Sequence, residues 1–227
     1  MFPINNSHIK CQNLISMKSE NISTRILHTP FPREDSNNAL RMPVYENVAS
    51  EFETAEEIAA AFRGELPRHV YSRIANPTVE YFENQMKEMS GALGVLALSS
   101  GMAALSNLFF AIAGKGNNII TTNKLFGNTF SLVSETLPGI GIEFKFADMT
   151  DPQSVEELID NNTVGIFFET ITNPQLEVAD AKSLSDIAHK HNIPLIGDTT
   201  LTPPDLFCPA DFGVDVEVIS GTKLSVV

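Results

Sequence analysis

From about residue 94 onward, short apolar runs alternate with helical segments, and that alternation leaves very few architectures open to the chain. The runs are Gly94–Leu98, Asn118–Thr121, Glu143–Phe146, Val164–Phe168, Pro194–Gly197 and Val216–Ile219. Between them lie stretches with helical apolar spacing: Met102–Ala113, Thr129–Leu137, Pro152–Asp160 and Ala181–His191. Several runs are apolar throughout rather than at every second residue, as in strands covered on both faces. The expected class is therefore α/β: a doubly wound, mainly parallel sheet with helices on both sides.

Ahead of this pattern the chain reads differently. Residues 1–23 are polar and rich in Asn and Ser, like a leader, and Thr24–Asn47 carries Pro30, Pro32 and Pro43, like an extended arm without a helix. Thr54, with Glu57 three residues on, is the signature of a capped helix start, and Gly64 stops that helix. After Pro77, Val79, Phe82 and Met86 follow helical spacing as far as about Gly91. The expected organisation is a leader and arm over 1–65 and a large domain over 66–227.

Composition narrows the function. Lys and Arg number 15 against 28 Asp and Glu, a formal charge of −13 over 227 residues. Phosphate backbones and anionic lipid surfaces repel such a chain, so neither nucleic acid nor membrane is expected as a partner. Cys11 and Cys208 share no motif, which argues against a disulfide scaffold and a thiolate metal site. The expected setting is the cytoplasm, with no metal.

In open α/β sheets ligands bind beyond the carboxyl ends of the strands. The residues that follow the apolar runs are Ser99-Ser100-Gly101-Met102, Phe126-Gly127-Asn128, Glu169 with Asn173-Pro174, Asp198-Thr199-Thr200, and Ser220-Gly221-Thr222-Lys223. All of them belong on one rim. Taken singly each is weak. A Gly turn before a helix is usually only a turn, a lysine at a strand end is usually surface, Asp198 serves equally as a cap, and Phe126 by itself reads better as core than as a stacking face. Taken together they suit one cofactor. A helix N-terminus cradles a phosphate, a lysine in a partly dry cleft traps an aldehyde, a carboxylate meets a pyridinium nitrogen, and an aromatic plate stacks on the ring. That is a description of pyridoxal 5′-phosphate.

Five motifs in this order carry a resemblance: Tyr71-Ser72-Arg73-Ile74-Ala75-Asn76-Pro77-Thr78, Ser99-Ser100-Gly101-Met102-Ala103-Ala104, Glu169-Thr170-Ile171-Thr172-Asn173-Pro174, Asp198-Thr199-Thr200 and Ser220-Gly221-Thr222-Lys223. From about Thr24 to Lys223 the chain resembles the Cys/Met-metabolism (transsulfuration) pyridoxal-phosphate enzymes of the aspartate-aminotransferase fold. The stretch from Phe52 to Glu83 is most similar to the O-acetylhomoserine sulfhydrylase branch. The resemblance implies that Lys223 binds the cofactor covalently and moves protons between substrate carbons, while Asp198 pairs with the ring nitrogen. It places Ser100, Gly101, Met102, Ser220 and Thr222 at the phosphate, and Thr200 beside Asp198. It puts Phe126 on the ring face, Asn173 near the ring hydroxyl, and Glu169 on the same rim. Tyr71 and Arg73 would reach the phosphate of a neighbouring subunit, so the implied state is a homodimer or homotetramer with shared sites. The implied reaction is γ-replacement on O-acetyl-L-homoserine by sulfide or a thiol. Methionine γ-lyase, cystathionine γ-synthase and cystathionine lyase are alternatives within the family.

Against that pattern Phe126 stands where a tyrosine is common, so a phenolic hydroxyl is missing, and Thr199 stands where Asn is common. The chain stops four residues after Lys223. The resemblance therefore implies a large domain incomplete at its C-terminus, lacking the small C-terminal domain and the arginine that grips the substrate carboxylate. An inactive, truncated product that keeps most cofactor ligands is the competing expectation.

Overall fold

A computed structural model describes residues 21–31, 39–202, 204 and 206–223. Of the expected leader, residues 1–20 lie outside these, as do Cys11 and Pro32. Two units make up the chain, one within Ser16–Ala97 and one from Leu98 on.

Among the described residues the N-terminal unit holds three helices: α1 (Ile22–Leu27), α2 (Ala55–Phe62) and α3 (Pro77–Ser90). The start of α2 follows from its capping residues. Thr54 Oγ1 accepts from Glu57 N–H at 3.2 Å, and the Glu57 carboxylate accepts from Glu53 N–H at 3.1 Å. Helix α3 begins where Asn76 caps Thr78 N–H and Pro77 takes the first position, which needs no donor. It ends at Gly91 in the left-handed region, φ 70°.

The second unit is the sheet. Strands β1 (Asn118–Thr121), β2 (Glu143–Phe146), β3 (Thr163–Glu169), β4 (Leu195–Asp198) and β5 (Val216–Val218) lie in the order β2-β1-β3-β4-β5, every pairing parallel. Helices α4 (Gly101–Ile112), α5 (Gly127–Ser131), α6 (Pro152–Glu156) and α7 (Ala181–Lys190) cover it. Alternate strand residues point to opposite faces. Ile119, Phe167, Ile196 and Val218 pack with Leu105 and Phe109 of α4. Ile120, Ile166, Phe168 and Leu195 pack with Val155 of α6 and Leu184 and Ala188 of α7. Two apolar layers on one sheet explain why β1, β3 and β4 show no polar alternation, whereas the edge strand β2, Glu143-Phe144-Lys145-Phe146, does.

From β1 the chain moves outward to β2, then crosses back to β3 on the other side of β1. The strand order therefore reverses between β1 and β3, the place where connecting loops part and leave a crevice. Phe126 lies just beyond β1 and Glu169 ends β3.

Four expectations about elements need correction. Gly94–Leu98 is not a strand. It has strand composition, but no described segment supplies a hydrogen-bonded ladder beside it; Ala97 N–H donates instead to the Glu83 carboxylate at 2.8 Å. Leu93 and Leu96 are 79% and 75% exposed. The arm contains a helix, α1, because Asn21 accepts from Ser23 N–H at 2.9 Å and caps it. The helix expected over Thr129–Leu137 begins at Gly127 and widens after Ser131, where Leu137 N–H reaches Leu132 C=O at 3.0 Å, turning both Val133 and Leu137 into the core. Helix α6 stops at Glu156 rather than Asp160, since Asp160 is drawn into a hydrogen-bond cluster at the start of β3.

Candidate active site

The register of the sheet decides which side chains share a face. Glu169 pairs with Asp198 across β3 and β4, and Asp198 pairs with Val218 of β5. Glu169 follows Phe167 by two residues, and Asp198 follows Ile196 by two, so both carboxylates lie on the α4 side of the sheet. Helix α4 starts there with Ser100, whose Oγ accepts from Ala103 N–H at 3.0 Å. That cap uses an oxygen lone pair and leaves the hydroxyl proton to donate.

Gly101 is the first residue of α4, and it touches the turn after β5. A Cβ at Gly101 would lie 2.9 Å from Ser220 Cβ and 3.3 Å from its Cα. Only a glycine lets the helix N-terminus come this close to the Ser220–Lys223 turn, which closes through Lys223 N–H to Ser220 C=O at 2.9 Å. The N–H groups that open α4 and the Ser220 hydroxyl thus share one corner, with Thr222 in the same turn, a donor set that suits a phosphate.

Thr200 connects this corner to Asp198. Its Oγ1 accepts from Ser220 N–H at 2.9 Å, and its side chain also favours the charged form of Asp198. Thr200 N–H also donates to Asp198 Oδ1 at 2.9 Å. Burial pushes the Asp198 carboxyl upward, and the Thr200 side chain and N–H pull it back. Asp198 is therefore a half-buried carboxylate, held in place on one side and without a cationic partner among the described residues. None of the ion pairs among the described residues includes Asp198, Glu169 or Glu217. A cationic ring nitrogen would supply the missing charge.

Glu169 is 5% exposed. One oxygen accepts from Phe126 N–H at 2.8 Å, and the Asn173 N–H also favours the charged carboxylate. Burial pushes its pKa up to about 7, against the pull of those two amides and with help from the negative charge of Asp198. Phe126, at the entry to α5, is 43% exposed, so its ring is not core. Asn173, at a cis Asn173–Pro174 peptide, is exposed. The Met102 sulfur receives the Thr129 hydroxyl at 3.9 Å.

The second unit thus brings Ser100, Gly101, Met102, Phe126, Glu169, Asn173, Asp198, Thr200, Ser220, Thr222 and Lys223 to the carboxyl-end rim of the sheet. Tyr71 and Arg73 belong to the N-terminal unit, where Tyr71 bridges Ala49 and the Arg73 guanidinium lies 5.3 Å from the Tyr71 ring centre. Two features escaped the sequence reading. Glu217 of β5 accepts from the buried Thr199 hydroxyl at 2.5 Å, and burial raises its pKa. Its signal was a carboxylate in the middle of the apolar run Val216–Ile219. Lys124 pairs with both Glu177 oxygens, at 2.5 and 2.7 Å, tying the loop after β1 to the loop after β3. Nothing local in the sequence marks that pair.

An open, doubly wound parallel sheet with a helix N-terminus, a carboxylate and a lysine turn on one rim defines a cofactor-binding α/β protein. Residues 23–225 match the family of Cys/Met metabolism PLP-dependent enzymes, and the chain belongs to it. It is 37% identical over 201 residues to the O-acetyl-L-homoserine sulfhydrylase of Corynebacterium glutamicum, covering 88% of this chain and 46% of that protein. It is 35% identical over 208 residues to the L-methionine gamma-lyase of Pseudomonas putida, covering 92% and 52%. A solved O-acetylhomoserine (thiol)-lyase structure from Campylobacter jejuni superposes with a TM-score of 0.83 at 36% identity, covering 88% of this chain and 49% of that one. That structure carries a pyridoxyl-lysine phosphate. The chain spans about half the length of the curated relatives it matches.

Proposed function

We propose that the protein binds pyridoxal 5′-phosphate on this rim and, as part of a homo-oligomer with shared sites, replaces the γ-acetoxy group of O-acetyl-L-homoserine by sulfide or a thiol. The observation that carries the reading is the continuous link Asp198–Thr200–Ser220–Gly101, which joins a carboxylate for the ring nitrogen to a corner for the phosphate. The cofactor, when bound, supplies an electron sink for carbanions at the substrate's Cα and Cβ. Every other contribution belongs to the chain. Ser220, Thr222 and the N–H groups of Gly101 and Met102 hold the phosphate. Asp198 keeps the ring nitrogen protonated. Phe126 offers an aromatic face. Lys223 Nζ anchors the cofactor, takes the proton from Cα and returns protons to the substrate carbons. With no phenol on Phe126, those transfers fall to the lysine.

In balance, O-acetyl-L-homoserine and hydrogen sulfide give homocysteine and acetate: a C–O bond breaks at Cγ, a C–S bond forms there, and no electrons are exchanged with an outside reagent. Tyr71 and Arg73 are assigned to the phosphate of the neighbouring subunit, since a guanidinium meets a phosphate with two parallel hydrogen bonds. The proposal takes residues 66–227 as the cofactor-bearing domain. Its setting is the cytoplasm, in keeping with two cysteines that share no motif. The likeness to L-methionine gamma-lyase favours a second reading, elimination without a thiol acceptor.

An assay on the purified protein with added pyridoxal phosphate separates the readings. O-acetyl-homoserine with sulfide should give homocysteine and acetate in equal amounts, faster than methionine or cystathionine is cleaved. Thiol release from methionine as the dominant activity would replace the first reading with the second. No turnover of any of the three, with the cofactor bound, would leave the inactive product.

A further inference from the structure

Two loops flank the crevice at the point where strand order reverses. The loop after β1 carries Phe126, and the loop after β3 carries Asn173. Loops of this kind set their own geometry poorly, because few of their backbone groups belong to a ladder. Here one side chain serves both. Glu169 is the last residue of β3, so its backbone is fixed by the parallel pairing with Asp198. Its carboxylate accepts from Phe126 N–H at 2.8 Å across the crevice, and the Asn173 N–H of its own loop favours its charged form.

We propose that Glu169 is a positioning residue: a buried carboxylate clasp that holds the backbone amides of Phe126 and Asn173 and so sets the spacing between the two groups that flank the cofactor ring. The role rests on the reading of this rim as a pyridoxal-phosphate site. Glu169 then acts through Phe126 and Asn173 and need not touch substrate. Its burial is consistent with that role. A carboxylate that is 5% exposed and accepts Phe126 N–H at 2.8 Å is committed to the protein, not to solvent. Burial costs the charge its hydration, so its pKa near 7 reflects a clasp kept in place at some cost to the fold. The outer Lys124–Glu177 pair ties the same two loops but is about one-third exposed, and exposed pairs contribute little.

The test begins on the cofactor-free protein, with backbone amide hydrogen exchange in wild type, Glu169→Ala and Glu169→Gln. Amides of β1 and β4 serve as internal references for folding. In Glu169→Ala the amides of Phe126 and Asn173 should exchange at least about tenfold faster while the references stay protected. In Glu169→Gln one of the two should lose protection, since a carboxamide has a single acceptor oxygen and an NH2 that cannot accept. If Glu169→Ala fails to fold, Glu169→Gln decides alone. Both amides exchanging at the wild-type rate would overturn the clasp.

Pyridoxal phosphate is then added, and its visible circular dichroism is compared at saturation. The Glu169→Gln protein should take up the cofactor but show a weakened induced band, because the ring is held at a less fixed angle. An unchanged band would overturn the positioning role even if the exchange result stands. A wild-type chain that takes up no pyridoxal phosphate would sink the proposed function, while the exchange data would still decide the clasp.

Discussion

At the amino ends of the strands, Asp160 accepts hydrogen bonds from Lys145 Nζ at 2.7 Å, Asn118 Nδ2 at 2.9 Å, Asn162 N–H at 2.9 Å and Thr163 Oγ1 at 3.2 Å. Those bonds, the lysine's first, hold its carboxyl far below the usual range. At the carboxyl ends of the same sheet, Glu169, Asp198 and Glu217 have no cation among the ion pairs of the described residues, and burial pushes all three upward. One sheet thus carries a saturated carboxylate at one end and three under-compensated ones at the other. The saturated end is built for stability. The other end keeps charge in reserve, which makes sense where a ligand is to complete the electrostatics. If so, substitutions at the two ends should separate chemistry from stability.

The largest effect is expected at Asp198. Asp198→Asn should lower kcat by about 100-fold or more, because an amide cannot stabilise a pyridinium by charge. Cofactor affinity should fall far less, and melting should be unchanged. Steady-state assays beside a cofactor titration check this, and an unchanged kcat would break the comparison.

Next comes Gly101→Ala. The added Cβ would press on Ser220 at 2.9 Å. Overpacking of about 1–3 kcal/mol at that corner weakens pyridoxal phosphate binding by about tenfold to a hundredfold. Gly127→Ala, also at the first position of a helix but with nothing within 4 Å of its Cβ, is the matched control and should bind normally.

Smaller, and opposite in kind, is Asp160→Ala. It should lower the melting temperature by a few degrees, as Lys145, Asn118 and Thr163 lose a shared acceptor, while cofactor uptake stays at wild type. Thermal melts and a cofactor titration on the same variant separate the two.

Smallest is a difference of slope with pH. The folded state holds the Glu169 proton more tightly than the unfolded chain does, at about 7 against 4.5. Its contribution is fully present below about 4.5 and is lost as pH rises towards 7, by up to about 3 kcal/mol. Asp198 and Glu217 act in the same direction. Asp160 does the reverse: its contribution is present above its ordinary value of 3.8 and is lost as pH falls. Urea midpoints from pH 4.5 to 7 on the cofactor-free protein should show a shallower decline in Glu169→Gln than in wild type.

The fold was legible where burial is two-sided. Ile119, Ile120 and Phe167 announce strands because both faces of the sheet are covered, so every position is apolar. The same rule misread Gly94–Leu98, since composition cannot say whether a ladder partner lies alongside. Capping was legible at Thr54, where a Glu stands three residues on, but not at Asn21, where no such partner follows. The rim was legible as a set of residue types following strands. Its internal wiring was not. That Thr200 bridges Asp198 and Ser220, or that Glu169 reaches Phe126, depends on register across strands 20 to 43 residues apart in the chain. Glu217 escaped because a single carboxylate in an apolar run looks like an edge-strand charge until Thr199 is seen donating to it.

The central claim is that the under-compensated rim is a pyridoxal-phosphate site anchored at Lys223. Reduction of the cofactor-loaded protein with borohydride, followed by proteolysis and mass mapping, tests it most directly. The account predicts a single pyridoxyl-phosphate adduct, on Lys223, that vanishes in Lys223→Ala. An adduct on Lys124 instead, or none in protein saturated with the cofactor, would contradict it.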